Sequence, residues 1–85
     1  MLNLGSNQIG DEGMRHLGDA LARGAAPALK ELSLFNNKIG KEGARHLGDA
    51  LARGAAPALE TLGLQDNPAS AWAQQAAKNV LKNRK

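Results

Sequence analysis

His16 and His46 are the only histidines in the chain, and each follows a glutamate by four residues, Glu12 and Glu42. A carboxylate and an imidazole one helical turn apart could share a metal ion or pass a proton. Zinc, however, needs ligand atoms about 2 Å from the ion, and adjacent packed helices run roughly 8–10 Å apart. With no cysteine to complete a set, the histidines read as two copies of one surface position. Serine occurs only at Ser6, Ser33 and Ser70, and none sits in a nucleophile elbow or at workable spacing from a base and its orienter. Gly40-Lys41 lacks the upstream glycine and the following hydroxyl of a phosphate loop, and Gly10-x-x-Gly13 lacks the rest of a dinucleotide fingerprint. No catalytic, cofactor-binding or metal-binding residue is expected, and the chain is not expected to be an enzyme.

Charge narrows the function classes further. The formal net charge is +3, but Lys78, Lys82, Arg84 and Lys85 lie in the last eight residues. Residues 1–77 hold seven cations against eight acids, a balance of −1, so the body is neutral and only its tail is basic. Cations in the last turn of a helix suit its dipole, which weighs against nucleic-acid contact through the tail. At 85 residues the chain makes one small domain with a thin core. The absence of cysteine permits a reducing compartment, and no apolar run or basic leader suggests a membrane span or signal peptide, so a cytoplasmic protein is expected.

The elements that position these residues are set by the segment 29–51. Leu32 and Leu34 alternate as in a half-buried strand; Leu47, Ala50 and Leu51 recur at helical spacing, with Asn37 and Ile39 between the two periods. Shifted by 30 residues, 2–30 lies over 32–60 with mismatches only at Asn3, Gly5, Ser6, Gln8, Asp11, Met14 and Lys30, so 22 of 29 positions are identical. Such a period marks a solenoid, whose units bury their apolar faces by stacking. Identity this high implies recent duplication or a designed sequence.

Leu29-x-x-Leu32-x-Leu34-x-x-Asn37-x-Ile39, followed by Gly43, Leu47 and Ala50-Leu51, resembles a leucine-rich repeat of the ribonuclease-inhibitor type, also called NLR-type. Leu2, Leu4, Asn7, Ile9, Gly13, Leu17 and Ala20-Leu21 keep the frame in the first copy; Leu59, Leu62, Leu64 and Asn67 keep it in the third. The resemblance implies an α/β fold: a right-handed β-α superhelix with about three parallel strands on the concave side and three helices on the convex side. It divides the single domain into 1–28, an N-terminally truncated repeat, 29–58, and 59–85, which ends in a capping helix.

Helices are predicted over 11–23, 41–53 and 71–83. Gly24 and Gly54 serve as stops, Ser70 as a cap, and Asp19 with Arg23 and Asp49 with Arg53 as i,i+4 ion pairs. Asn7, Asn37 and Asn67 are expected to bond backbone groups left open where each strand turns. Trp72 and Ala76 replace Glu42 and His46 in the frame, which predicts Trp72 as a lid over the open end of the core. At the other end, Met1, Leu2, Asn3, Leu4 and Gly5 read as a bare edge strand, suited to an antiparallel two-fold dimer or a higher assembly.

What remains is the sheet face opposite the leucines: Met1, Asn3 and Gly5, then Glu31, Ser33 and Phe35, then Thr61, Gly63 and Gln65. The near-copies differ chiefly there and in the adjoining turn, at Asn3/Ser33, Gly5/Phe35, Ser6/Asn36 and Gln8/Lys38. Asn3, Glu31, Ser33, Phe35, Asn36, Thr61 and Gln65 are therefore the candidate protein-binding residues, with Phe35 an aromatic anchor between small neighbours Gly5 and Gly63. The function expected is protein–protein interaction, with a self-associating duplicated or engineered unit as the alternative and nucleic-acid contact through the tail third.

Overall fold

The computed structural model describes residues 2–83. Three short strands, β1 (Leu2–Asn3), β2 (Glu31–Ser33) and β3 (Thr61–Gly63), alternate with three helices, α1 (Asp11–Ala22), α2 (Lys41–Ala52) and α3 (Ala71–Asn83). The strands form one parallel sheet in the order β1-β2-β3, with Leu2 opposite Leu32 and Leu32 opposite Leu62. The 30-residue period of the sequence is therefore the register of the sheet. Parallel neighbours need a crossover, and each helix supplies it, packing α1 on α2 and α2 on α3. The molecule is a β-α solenoid.

The period change within each unit explains the layers. Leu32, Leu34, Leu62 and Leu64 point from the sheet into the interior, where Ile39, Leu47, Leu51, Leu59, Met14, Leu21 and Leu81 meet them. Leu2, Leu4, Ile9 and Leu17 occupy the same places in the first coil but stay half-buried, because no coil covers that side. Each of the first two helices stops on a glycine in the left-handed region, Gly24 at φ +97 and Gly54 at φ +95. In both, the following alanine N–H bonds back to Ala20 or Ala50 at 3.1 Å, the bond that closes a Schellman turn. Ser70 Oγ accepts from Ala73 N at 3.1 Å and starts α3.

Two expectations fail. Trp72 is 82% exposed and lies on the α2 side of α3, over a groove of about 210 Å³ shared with Lys41, Ala44 and Arg45. It is not a lid: its place in the helical turn aims it along the outer surface, away from the β3 edge. The Asp19–Arg23 and Asp49–Arg53 pairs are not formed among the described residues. The helices end at Ala22 and Ala52, so each arginine is a C-cap outside the regular spiral. The ion pairs run instead from Arg15 to Glu12 at 2.6 Å and from Arg45 to Glu42 at 3.3 Å and Asp49 at 4.0 Å.

Helix spacing is governed by glycines. A Cβ on Gly18 would lie 3.4 Å from Ala50 Cβ, and one on Gly48 3.7 Å from Ala77 Cα, so each helix presents a smooth patch to the next. The residue in this place on α3 is Lys78, beside Lys82 at a groove of about 600 Å³ that runs along Leu59, Leu62 and Leu81. Their aliphatic stems lie along the apolar rim on the β3 side.

Candidate functional site

The sheet face turned away from the helices rests on a ladder of asparagines. Asn37, 7% exposed, accepts at Oδ1 from Asn7 N and Ile9 N, both at 2.9 Å, and donates from Nδ2 to Leu4 O and Leu34 O at 3.0 Å and Phe35 O at 3.2 Å. Asn67 repeats the pattern one coil on, accepting from Asn37 N at 3.2 Å and Ile39 N at 3.0 Å and donating to Leu34 O, Leu64 O and Gln65 O. Asn7 donates only within its own turn, to Leu4 O and Gly5 O. Asn37 and Asn67 thus tie their turns to the preceding coil and hold the strand ends at a constant spacing.

On this frame the candidate residues form rows. Asn3, Ser33 and Gly63 stand in register, as do Glu31 and Thr61. Bonds from Ser6 N to Phe35 O and from Asn36 N to Gln65 O, both 3.0 Å, continue the ladder so that Gly5, Phe35 and Gln65 make the next row. Glu31, Thr61 and Gln65 are exposed; Ser33 and Phe35 are half-buried. Two candidates are already engaged. Asn3 Oδ1 accepts from Gly5 N at 2.9 Å, and Asn36 Nδ2 donates to Ser6 Oγ at 3.1 Å. Ser6, Asn36 and Asp66 all sit in the left-handed region, at φ 61, 53 and 62, which asparagine and aspartate tolerate best.

Phe35 is placed differently from expectation. Its ring lies over Gly5, where an added Cβ would fall 2.7 Å from Cζ. The neighbours of Gly63 are Ser33 and the Gln65 amide, so the ring is not a free plate between two glycines. Gly5 is what makes room for it, which is the physical sense of the Gly5/Phe35 difference.

Of the expected edge residues, Leu2 and Asn3 form β1, Leu4 N continues its ladder to Ser33 O at 2.8 Å, Gly5 lies in the turn beyond, and Met1 lies outside the described residues. Of the basic tail, Lys78 and Lys82 stand at the β3 side, while Arg84 and Lys85 lie outside the described residues. His16 is exposed, 3.9 Å from Glu12, and among the described residues no group of three or more His, Cys, Asp or Glu side chains gathers to hold a metal. The hydrogen bond and charge of Arg15 hold the Glu12 carboxyl below its usual range and raise Arg15 in turn. No helix among those residues is long and apolar enough to cross a membrane.

One functional group escaped sequence reasoning. The Oδ1 atom of Asp11 accepts from Gly40 N at 2.7 Å and Gly43 N at 2.9 Å, so the first residue of α1 caps α2. α2 has only a glycine at its own N-cap and no side chain to serve there. The signal was present as the Asp11/Lys41 difference: α3 starts with Ser70, so the second coil has no call for an acid at Lys41.

Comparison with known proteins agrees with this geometry. Residues 2–18 and 26–48 match the family described as Leucine Rich repeat. Neither curated proteins nor solved structures gave a match. The matched stretches coincide with stacked strand-turn-helix coils on an asparagine ladder, and together they support a leucine-rich repeat protein.

Proposed function

We propose that this protein is an interaction module that presents the sheet face of its solenoid, centred on Phe35, to a protein partner. The observation that carries the reading is the contrast between backbone and side chains on that face. The asparagine ladder repeats the same bonds from coil to coil, while the residues it displays change at Asn3/Ser33, Gly5/Phe35 and Ser6/Asn36. A constant scaffold with varied side chains suits recognition, and a half-buried aromatic is the type of group that anchors an interface. In this reading Glu31, Ser33, Phe35, Thr61 and Gln65 meet the partner, Asn3 and Asn36 shape the rim, no catalysis is involved and the setting is cytoplasmic. The 30-residue coils with full 12-residue helices support the ribonuclease-inhibitor-like type and the divisions 1–28, 29–58 and 59–85.

The test compares two faces. A photo-crosslinking residue at Ser33 or Thr61 should label one saturable protein partner, one at Gln75 or Asn79 should not, and Phe35→Ala should abolish the labelling. Because the ring is half-buried and stands apart from the core cluster, Phe35→Ala should cost no more than about 1 kcal/mol of stability. Equal labelling from both faces, or binding that survives Phe35→Ala, refutes the reading. A second reading, a duplicated or engineered unit that self-associates, draws on the half-buried leucines at β1.

A further inference from the structure

The first coil's outward side has an occupied twin inside the same molecule. Leu32, Leu34, Ile39, Gly40, Gly43, His46, Leu47, Ala50, Ala55 and Ala56 of the second coil recur unchanged thirty residues earlier as Leu2, Leu4, Ile9, Gly10, Gly13, His16, Leu17, Ala20, Ala25 and Ala26. In the second coil this side is covered: Leu47 and Ala56 are 0% exposed, Ala55 3% and Ala50 5%. In the first coil Ala20, Ala25 and Ala26 are exposed and Leu17 is half-buried. The polar groups match as well. Asn37 Oδ1 receives two N–H groups from the coil before it, whereas Asn7 Oδ1 receives none among the described residues. Gly40 and Gly43 receive the Asp11 carboxylate, whereas no side chain caps α1 at Gly10.

We propose that the β1 side of the molecule is a docking surface for one further leucine-rich coil of the first repeat's kind. That coil carries an aspartate at the first residue of its helix and a glycine seven residues on. The aspartate meets Gly10 N and Gly13 N, the glycine lets its helix close on Ala20 and the His16 backbone, and two backbone N–H groups from its turn meet Asn7 Oδ1. A second copy of this chain does not supply these features. Its own Asp11 and Gly18 are already engaged with α2, and its β3 side offers Ala71 and Lys78 in their places. Two copies set β1 to β1 would oppose Ala20 and His16 with themselves, where the internal template opposes their equivalents Ala50 and His46 with Gly18. Docking is thus specific to one end.

The experiment appends a second copy of residues 1–30 ahead of Met1 of the full chain. The added coil should raise the urea midpoint in a single transition and slow amide exchange at Gly10, Gly13 and Leu17 at least about tenfold. Asp11→Lys within the added coil should remove part of that gain, and the same coil appended after Lys85 should bring none. An added coil that leaves those amides unprotected while residues 31–83 stay folded overturns the proposal. So does a gain equal at both ends. Sedimentation of the native chain across micromolar concentrations should show a monomer; a dimer abolished by Leu17→Lys would assign the surface to a second copy and overturn it too.

Discussion

Removing the Asn37 side chain measures how much the ladder contributes. Asn37→Ala deletes two accepted and three donated hydrogen bonds at a position 7% exposed, and leaves Asn7 N and Ile9 N without partners. An orphaned buried donor costs about 1–3 kcal/mol and a typical bond contributes about 1 kcal/mol net, but water reaches part of this turn, so we expect a loss of about 3–4 kcal/mol. At roughly 0.05–0.15 kcal/mol per residue, a chain of 85 residues has about 4–13 kcal/mol to lose. Asn7→Ala is the internal control: it removes two donated bonds on the exposed side and orphans no neighbouring coil, so about 1 kcal/mol is expected. Urea unfolding followed by far-ultraviolet circular dichroism gives both values on one scale. If the two variants fall within about 0.5 kcal/mol of each other, the amides do not bind coil to coil and the reasoning is refuted.

Other substitutions probe separate contacts. Asp11→Ala should cost about 1–2 kcal/mol by uncapping α2, with Asp11→Asn intermediate and Asp11→Lys worst; no loss in thermal melts would show that Gly40 and Gly43 are satisfied by water. Gly18→Val should separate α1 from α2 and destabilise by about 1–3 kcal/mol, whereas Gly24→Val tests only the turn; fluorescence of Trp72, which lies beyond α2, should respond to neither. Because Arg15 lowers the folded-state pKa of Glu12, the contribution of this pair is present above the ordinary carboxylate range and lost as pH falls through the folded value. Glu12→Gln should therefore slightly lower the neutral plateau and flatten the acid limb of a pH–stability curve while leaving its most acidic end unchanged, and an acid limb of unchanged slope would refute it.

Most of the fold was legible because one signal was repeated. The change from period two at Leu32 and Leu34 to helical spacing at Leu47 and Leu51 defines a strand and a helix, and the thirty-residue shift supplies the register. Helix ends were readable because Gly24 and Gly54 can take a positive φ at little cost. What was missed depends on neighbours along the stack. Asp11 looks like an ordinary first-turn acid until the glycine-initiated α2 is set beside it. Met14, 0% exposed, was not assigned to the core although it lies three residues before Leu17 and seven before Leu21. Trp72 was misplaced because an apolar residue in a terminal helix suggests a cover, while the helical phase that aims it outward is a finer property than composition. The candidate face was legible as rows of residues, but the lean of Phe35 onto Gly5 is a rotamer choice that spacing does not encode.

The ladder also gives the stack a direction under load. Asn67 holds the turn amides of the second coil and Asn37 those of the first, so peeling the first coil away leaves Asn37 N and Ile39 N held while removing the Asp11 cap and the acceptors of Lys38 N, Asn36 Nδ2 and Asn37 Nδ2 on Ile9, Ser6 and Leu4. Detaching the third coil strips Asn37 N and Ile39 N at once. A tether pulled at the β1 end should therefore unravel the molecule one coil at a time, whereas a tether at the β3 end should break it in a single event at higher force.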